Sequence, residues 1–561
     1  MGSLSEKPAA RLNQKTLGVT NRIWLILAVF LTLILFTRSI LPSDSSYYPR
    51  NRFTHIDTKP KNYLNVTAGS PAPFAFCPAL GPGDELATKY DPVVLSKTRL
   101  HTGSSSRVQR VITRALTGLP VTMSIIGGSV SACHGAGDDP LSSSCYPSRF
   151  FSWWNTVFPH PASELTNGAM RRTSSAYFSF CNAHHVPDVT DLVVVELDTD
   201  DEGDKQSMNN FELLIRSLLI RPDQPAVLIL GHSSPQVLEE GGFLGRDQWH
   251  SLVAQFYDVP YVSIKPLLYP MYLTNPNQVR EYFADPVLAN SKGHELISDV
   301  LISYFESQTC AAWAAAVGTA HEMIPGPGPM AYNEKAKSPT DAKGLFGGVA
   351  QRKGAAGAAA PDEDEPHADS NPAPVAFAEP GTRQLSEQLY PNLKVPQALI
   401  GARPADYAEH SFEEVSPFCI SANDLVNPLP PSIFSGSGWE VFHPPPASAE
   451  LSSHAHYWYS SLPTSRLRVG LQVGAGEIGI YYLKEPASRV GPGSAVECWV
   501  DDNYSGAVVI ENAGSIGEPI PTLEIIDHNV PRGSHYVECT LIGEEDDRNV
   551  PPFKIIGIFA T

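Results

Sequence analysis

The chain has 561 residues, enough for two or three domains with packed cores, which excludes a miniature disulfide scaffold. Its 59 acidic against 40 basic residues give a net charge of −19, which repels polyanions and argues against nucleic acid as a partner. Charged residues are 18% and apolar ones 42%, too apolar for wholesale disorder, and 42 Gly with 50 Pro favour a β-rich, loop-rich protein over a helical bundle.

Lys7, Arg11, Lys15 and Arg22 precede the apolar run Ile23 to Thr37, which reaches Leu41 if Arg38 snorkels. Those 19 residues are just enough to cross a bilayer. The positive-inside rule then makes 1–22 a cytosolic tail, 23–41 a signal anchor, and the remainder lumenal: a single-pass type II membrane protein of the secretory pathway, with the Golgi as the expected station. A cleaved signal peptide is the alternative, opposed by the long leading segment and the lack of an Ala-containing small-x-small site. Residues 42–94, rich in Pro, Ser and Asn, read as a stem.

All eight cysteines, at 77, 133, 145, 181, 310, 419, 498 and 539, follow the span, so disulfides are expected among 105 possible pairings. Their spacing is unlike zinc knuckles, and no metal or other cofactor is expected. The sequons starting at Asn65 and Asn503 are candidate glycosylation sites.

Val121–Ile126, Asp191–Val195 and Ala226–Leu230 read as buried strands, and Asn209–Leu219 and His294–Glu306 as helices, which predicts a parallel α/β domain over 95–315. Residues 316–410, with their Pro-Gly, Gly-Ala and acidic tracts, read as a disordered linker. Short alternating runs over 411–561 (466–473, 477–483, 495–500, 507–510, 535–542 and 553–559) predict an all-β sandwich domain. The two folded units are expected to survive separation.

The chemistry centres on Ile125-Ile126-Gly127-Gly128-Ser129-Val130-Ser131. A serine after a buried strand and two glycines stands at the carboxyl edge of the sheet, so Ser129 is a candidate nucleophile, with a plain Gly-Ser turn as the other reading. This block resembles the Gly-Asp-Ser block of the SGNH (GDSL-like) hydrolase and acyltransferase superfamily. Asn167-Gly168, the strand-end Asp198-Thr199-Asp200-Asp201, and Asp285 with Gly293-His294 follow in the order of the later SGNH blocks. The resemblance implies a flavodoxin-like fold, an oxyanion hole that includes the Gly168 amide, and acyl chemistry on an ester.

Two positions depart from that pattern. Leu288 stands where the SGNH histidine belongs, and a serine without a base is a poor nucleophile. Asp200 replaces the asparagine that would donate to the oxyanion, and a carboxylate there would repel the developing charge. His134 and His232 are candidate substitute bases, although a histidine near a sheet edge commonly does no more than satisfy backbone groups. The sequence around Gly127–Cys133, Tyr177–Cys181, Cys498–Tyr504 and Phe553–Phe559 also resembles the capsule-associated membrane proteins of basidiomycete fungi, which implies a role in building an acetylated capsule polysaccharide, with other capsule or Golgi biosynthetic proteins as possible partners.

In the second domain most aromatics are expected in the core. Trp499, with Asp501 and Asp502, is the preferred exception, a candidate glycan-binding group. Three functions remain open: an SGNH-like esterase or O-acyltransferase acting on cell-surface polysaccharide, a catalytically silent glycan-binding scaffold of the same fold, and, ranked last, a glycosyltransferase using Asp198 and Asp200 around a divalent metal.

Overall fold

The computed structural model describes residues 15–16, 19–40, 58–65, 70–318, 351–354, 394–403, 412–415, 417–422, 434–444, 455–474, 476–544 and 550–561. A helix runs Asn21–Ile40, over the expected anchor. Its side chains are described only at 21 and 23–32, and among the described residues no helix is long and apolar enough to cross a membrane. Residues 1–56 and 57–561 form two separate units, and all that follows concerns the second.

Its α/β part is built on strands β1 (Arg99–His101), β2 (Thr122–Gly127), β3 (Glu164–Asn167), β4 (Leu192–Glu196), β5 (Ala226–Gly231), β6 (Tyr261–Ser263) and β7 (Gln351–Gly354). Their order across the sheet is β1-β6-β5-β4-β2-β3-β7. Strands β2 to β6 are mutually parallel, and β1 and β7 pair antiparallel at the two edges. The five parallel strands have the flavodoxin-like order 2-1-3-4-5, as the SGNH resemblance implied. The chain leaves β2 toward one edge and returns beyond it toward the other, so the switch point lies between β2 and β4.

Unbroken apolar runs suit strands covered on both faces. Ile125, Val194 and Leu228 point into one core with helices α1 (Ser106–Leu116), α2 (Tyr146–Val157) and α6 (Ser291–Ala316). Ile126, Val195 and Ile229 point into the other with α3 (Ser175–Cys181), α4 (Lys205–Leu219) and α5 (Asp247–Phe256). Helix α6 starts earlier than the sequence pattern suggests, because the Asn290 side chain accepts from the amides of Lys292 and Gly293.

The C-terminal part is all-β. One sheet has five strands, centred on β12 (Arg466–Val473), β18 (Gly533–Leu541) and β14 (Ala495–Val500). The other has seven, centred on β13 (Gly476–Pro486) and β19 (Phe553–Ala560). They also take up β8 (Phe418–Ser421), β9 (Phe434–Ser437), β10 (Glu440–Phe442), β11 (Tyr457–Ser460), β15 (Val508–Glu511), β16 (Ala513–Gly514) and β17 (Ile520–Val530). All six expected runs are strands. Strand β17 shows no clean alternation because it is a half-exposed edge that pairs only with β13, through register shifts.

The two parts share a buried core. Phe180 of α3 stacks on Phe559 of β19 with ring centroids 5.1 Å apart, Tyr177 packs on Tyr481 and Phe559, and Cys181 is bonded to Cys419 of β8. The other pairs are Cys77–Cys310, Cys133–Cys145 and Cys498–Cys539, so all eight cysteines are in disulfides. Within the stretch read as linker, residues 394–403 belong to the packed unit. The buried Arg216 of α4 donates to the Pro396 and Ala398 carbonyls and forks onto Glu414, while the Ile400 amide donates to Glu212. Residues 319–350, 355–393 and 404–410 of that stretch lie outside the described residues.

Candidate active site

Strand β2 ends at Gly127, and the next two residues bring Ser129 to the switch point against the turn that follows β4. The register pairs Gly127 with Glu196, so Asp200 on that turn reaches back over Gly128. Asp200 holds Ser129 with both oxygens: the Ser129 amide donates to Oδ2 at 2.8 Å and the hydroxyl donates to Oδ1 at 2.9 Å. From the other side the Arg172 amide donates to Ser129 Oγ at 2.9 Å. Burial pushes the Asp200 carboxyl up, the two hydrogen bonds from Ser129 pull it partly back, and it settles at about 6.

The remaining expected site residues take other roles. Gly168 does not offer its amide to an oxyanion, because that N–H donates to the Ile125 carbonyl at 2.9 Å. Its lack of a side chain instead admits the His185 backbone. The amide at Ser129 Oγ belongs to Arg172, four residues on, which is invisible in sequence because a backbone donor has no residue preference. Asp285 closes its own turn, with Oδ1 accepting from the Val287 and Leu288 amides at 2.7 Å each, and among the described residues it hydrogen-bonds neither Ser129 nor an imidazole.

Neither candidate base meets the nucleophile. His134 Nδ1 donates to Asp138 at 2.8 Å, and only its backbone N–H touches Ser129, at the carbonyl. The His232 ring is buried, donates from Nε2 to the Val287 carbonyl at 3.3 Å, and is driven down to about 4 by burial. His294 stacks on Tyr146 and accepts its amide at Nδ1. Among the described residues, no imidazole hydrogen-bonds Ser129 Oγ.

Beneath Ser129 lies a polar layer that the sequence reading missed. Ser131 Oγ, 2.7 Å from the Tyr146 hydroxyl, donates to Glu196 Oε2 at 2.9 Å. Glu196 is pushed up to about 8 by burial and then by Asp200 and Asp198. His250 of α5 bridges Asp198 at 2.6 Å and Asp201 at 2.9 Å. Burial lowers its pKa, but the two carboxylates outweigh this and raise it to about 10, so the ring is an imidazolium. Asp198 therefore faces His250 and the Tyr261 hydroxyl while Asp200 faces Ser129, and the two carboxylates do not converge as metal ligands.

In the sandwich, Trp499 is buried at 6% exposure against Tyr504, so it offers no stacking face, contrary to expectation. Asp501 accepts from His535 Nδ1 and the Tyr536 amide, and Asp502 from the Tyr536 hydroxyl, which fixes the turn after β14. Tyr504 is the exposed ring there. Asn65 and Asn503 are both exposed, and residues 66–67 of the first sequon lie outside the described residues. Between the two parts, Glu518 pairs with the Arg172 side chain at 3.3 Å.

No protein-family model matches the chain, and no curated protein does. Among solved structures, a two-domain esterase active on acetylated mannans matches in two crystal structures. One is co-crystallised with mannopentaose, with a TM-score of 0.52 over 83% of this chain and 97% of that one, and the other has a TM-score of 0.53 over 83% and 98%. Both are 16% identical to this chain. An acetyl xylan esterase, AlAXEase, matches at a TM-score of 0.28 and 13% identity over 33% of this chain and 99% of that one. At 16% identity the likeness to the two-domain esterase is one of fold alone: an α/β domain joined to a β-sandwich.

Proposed function

We propose that the chain transfers or removes acyl groups on a cell-surface polysaccharide through Ser129, as a type II membrane protein of the secretory pathway with its folded part in the lumen. The observation that carries this is the Ser129 hydroxyl at the switch point, held between a proton acceptor, Asp200 Oδ1, and an amide donor, Arg172 N–H. The fold shared with a mannan esterase supports a glycan ester as substrate, and the resemblance to capsule-associated proteins supports a capsule polysaccharide.

A second reading, a silent glycan-binding scaffold for capsule assembly, draws on one observation. Leu288, 9% exposed, occupies the position of the SGNH base. Full-length protein in detergent micelles, assayed on p-nitrophenyl acetate and on acetylated mannan beside Ser129→Ala, separates the two. Wild-type turnover lost in the variant supports the enzyme. Equal rates in both, with mannan still bound, support the scaffold. Protease protection in sealed microsomes tests the topology, and digestion of the bulk of the chain from the cytosolic side would reject it.

A further inference from the structure

The Ser129 hydroxyl proton has one acceptor among the described residues, Asp200 Oδ1 at 2.9 Å. From this juxtaposition we propose that Asp200 is the general base for Ser129, taking the part of the missing imidazole. The inference rests on the acyl-transfer reading and assigns its proton acceptor.

In the first half-reaction Ser129 Oγ attacks the acyl carbon while its proton passes to Asp200 Oδ1, and the carbonyl π pair moves onto the carbonyl oxygen. The tetrahedral intermediate then collapses. The bond from acyl carbon to sugar oxygen breaks, and the Asp200 carboxylic acid returns the proton to that oxygen, leaving acyl-Ser129 and a free sugar hydroxyl. In the second half, water or an acceptor hydroxyl attacks acyl-Ser129 with Asp200 again taking the proton, and Ser129 Oγ leaves protonated. No oxidant or further reactant is required.

The charge accounting favours a carboxylate more than the sequence alone suggests. With a neutral imidazole, attack creates two opposite charges; with a carboxylate, the negative charge moves from Asp200 to the substrate oxygen and the acid left behind is neutral. The repulsion expected between Asp200 and the oxyanion therefore disappears in the step that forms the oxyanion. The Arg172 amide, donating to Oγ at 2.9 Å, holds the nucleophile oxygen in place beside Asp200. A carboxyl displaced upward to about 6 is a stronger base than an ordinary aspartate yet is still mostly ionised at neutral pH. The ionisable neighbours acting on this group are Asp201, which raises it, and Arg246, which lowers it, and Glu196 shares its field.

The test uses full-length protein in detergent micelles with p-nitrophenyl acetate between pH 4.5 and 9. Asp200→Asn keeps an acceptor for the Ser129 amide but cannot take a proton. We expect the wild-type kcat/KM to rise about tenfold per pH unit below about 6 and to level above it. In Asp200→Asn, kcat should fall by about a hundredfold or more with little change in KM, and the limb near pH 6 should vanish. The wild-type profile and the pH dependence of fluorophosphonate labelling of Ser129 need no variant, so a misfolded Asp200→Asn would not rescue the idea. A flat wild-type profile from pH 5 to 8 overturns it, as does a limb near pH 8. Asp200→Asn activity within threefold of wild type while Ser129→Ala is dead overturns the base assignment but leaves the acyl-transfer reading standing. Wild-type turnover no higher than that of Ser129→Ala overturns both.

Discussion

Gly128 lies directly under the Asp200 carboxylate: a Cβ at position 128 would overlap Asp200 Oδ2 and press on its Cγ. The second glycine of the Gly-Gly-Ser segment is thus required by the Asp200–Ser129 contact.

Gly128→Ala is therefore expected to push Asp200 off Ser129 and lower Ser129-dependent ester turnover by about a hundredfold, the usual scale for a displacement near 1 Å in a reacting pair. Gly517→Ala, where nothing stands within 4 Å of the added carbon, is the control and should leave turnover unchanged. Equal activity in the two variants would show that the close approach has no catalytic consequence.

His250 is sandwiched between Asp198 and Asp201 with Phe211 stacked at 3.8 Å. Its removal leaves two buried carboxylates without their cation. His250→Ala should cost about 3–5 kcal/mol in unfolding free energy. Because its folded pKa lies above the ordinary value of 6.5, at about 10, its contribution is complete below about 6.5 and disappears as pH rises through about 10. Thermal melts of wild type and His250→Ala should therefore converge toward alkaline pH, and parallel curves would refute the imidazolium.

Glu196 has the same sign for a different reason. Its folded pKa is raised from 4.5 to about 8, so the fold prefers the protonated carboxyl. The stability linked to it is complete below about 4.5 and is lost as pH climbs through about 8. Glu196→Gln keeps an acceptor for Ser131 and removes the titration. It should raise stability at pH 8 by on the order of a few kcal/mol and flatten the melting profile between pH 4.5 and 8. A variant no more stable than wild type at pH 8 would mean that Glu196 is ionised in the fold.

The α/β part expressed without the sandwich would expose the Tyr177, Phe178 and Phe180 face of α3 and leave Cys181 without Cys419. We expect residues 57–318 alone to aggregate or to melt at a lower temperature than the full chain. In the full chain, replacing Cys181 and Cys419 with serine should cost roughly 2–5 kcal/mol. A monomeric 57–318 fragment with an unchanged melting midpoint would restore the picture of two independent units.

The sequence by itself determined the two-part architecture, because apolar runs such as Leu192–Val195 bury both faces and the alternation of Arg466–Val473 buries one, whatever lies elsewhere in the chain. It also singled out Ser129, since Gly-Gly-Ser follows a buried strand, and Leu288 as a departure from the pattern that segment resembles. What it could not decide were the pairings made across space. Whether Asp200 repels an oxyanion or accepts a proton depends on its 2.9 Å approach to Ser129 Oγ, which is set by the β2–β4 register. The donor at Oγ is the backbone amide of Arg172, which any residue can supply, so no residue type marks it in the sequence. Trp499 was read as exposed and is buried, because alternation along β14 does not say which face the partner sheet covers. The bond between Cys181 and Cys419 spans 238 residues, and only the packed fold selects it from the 105 possibilities.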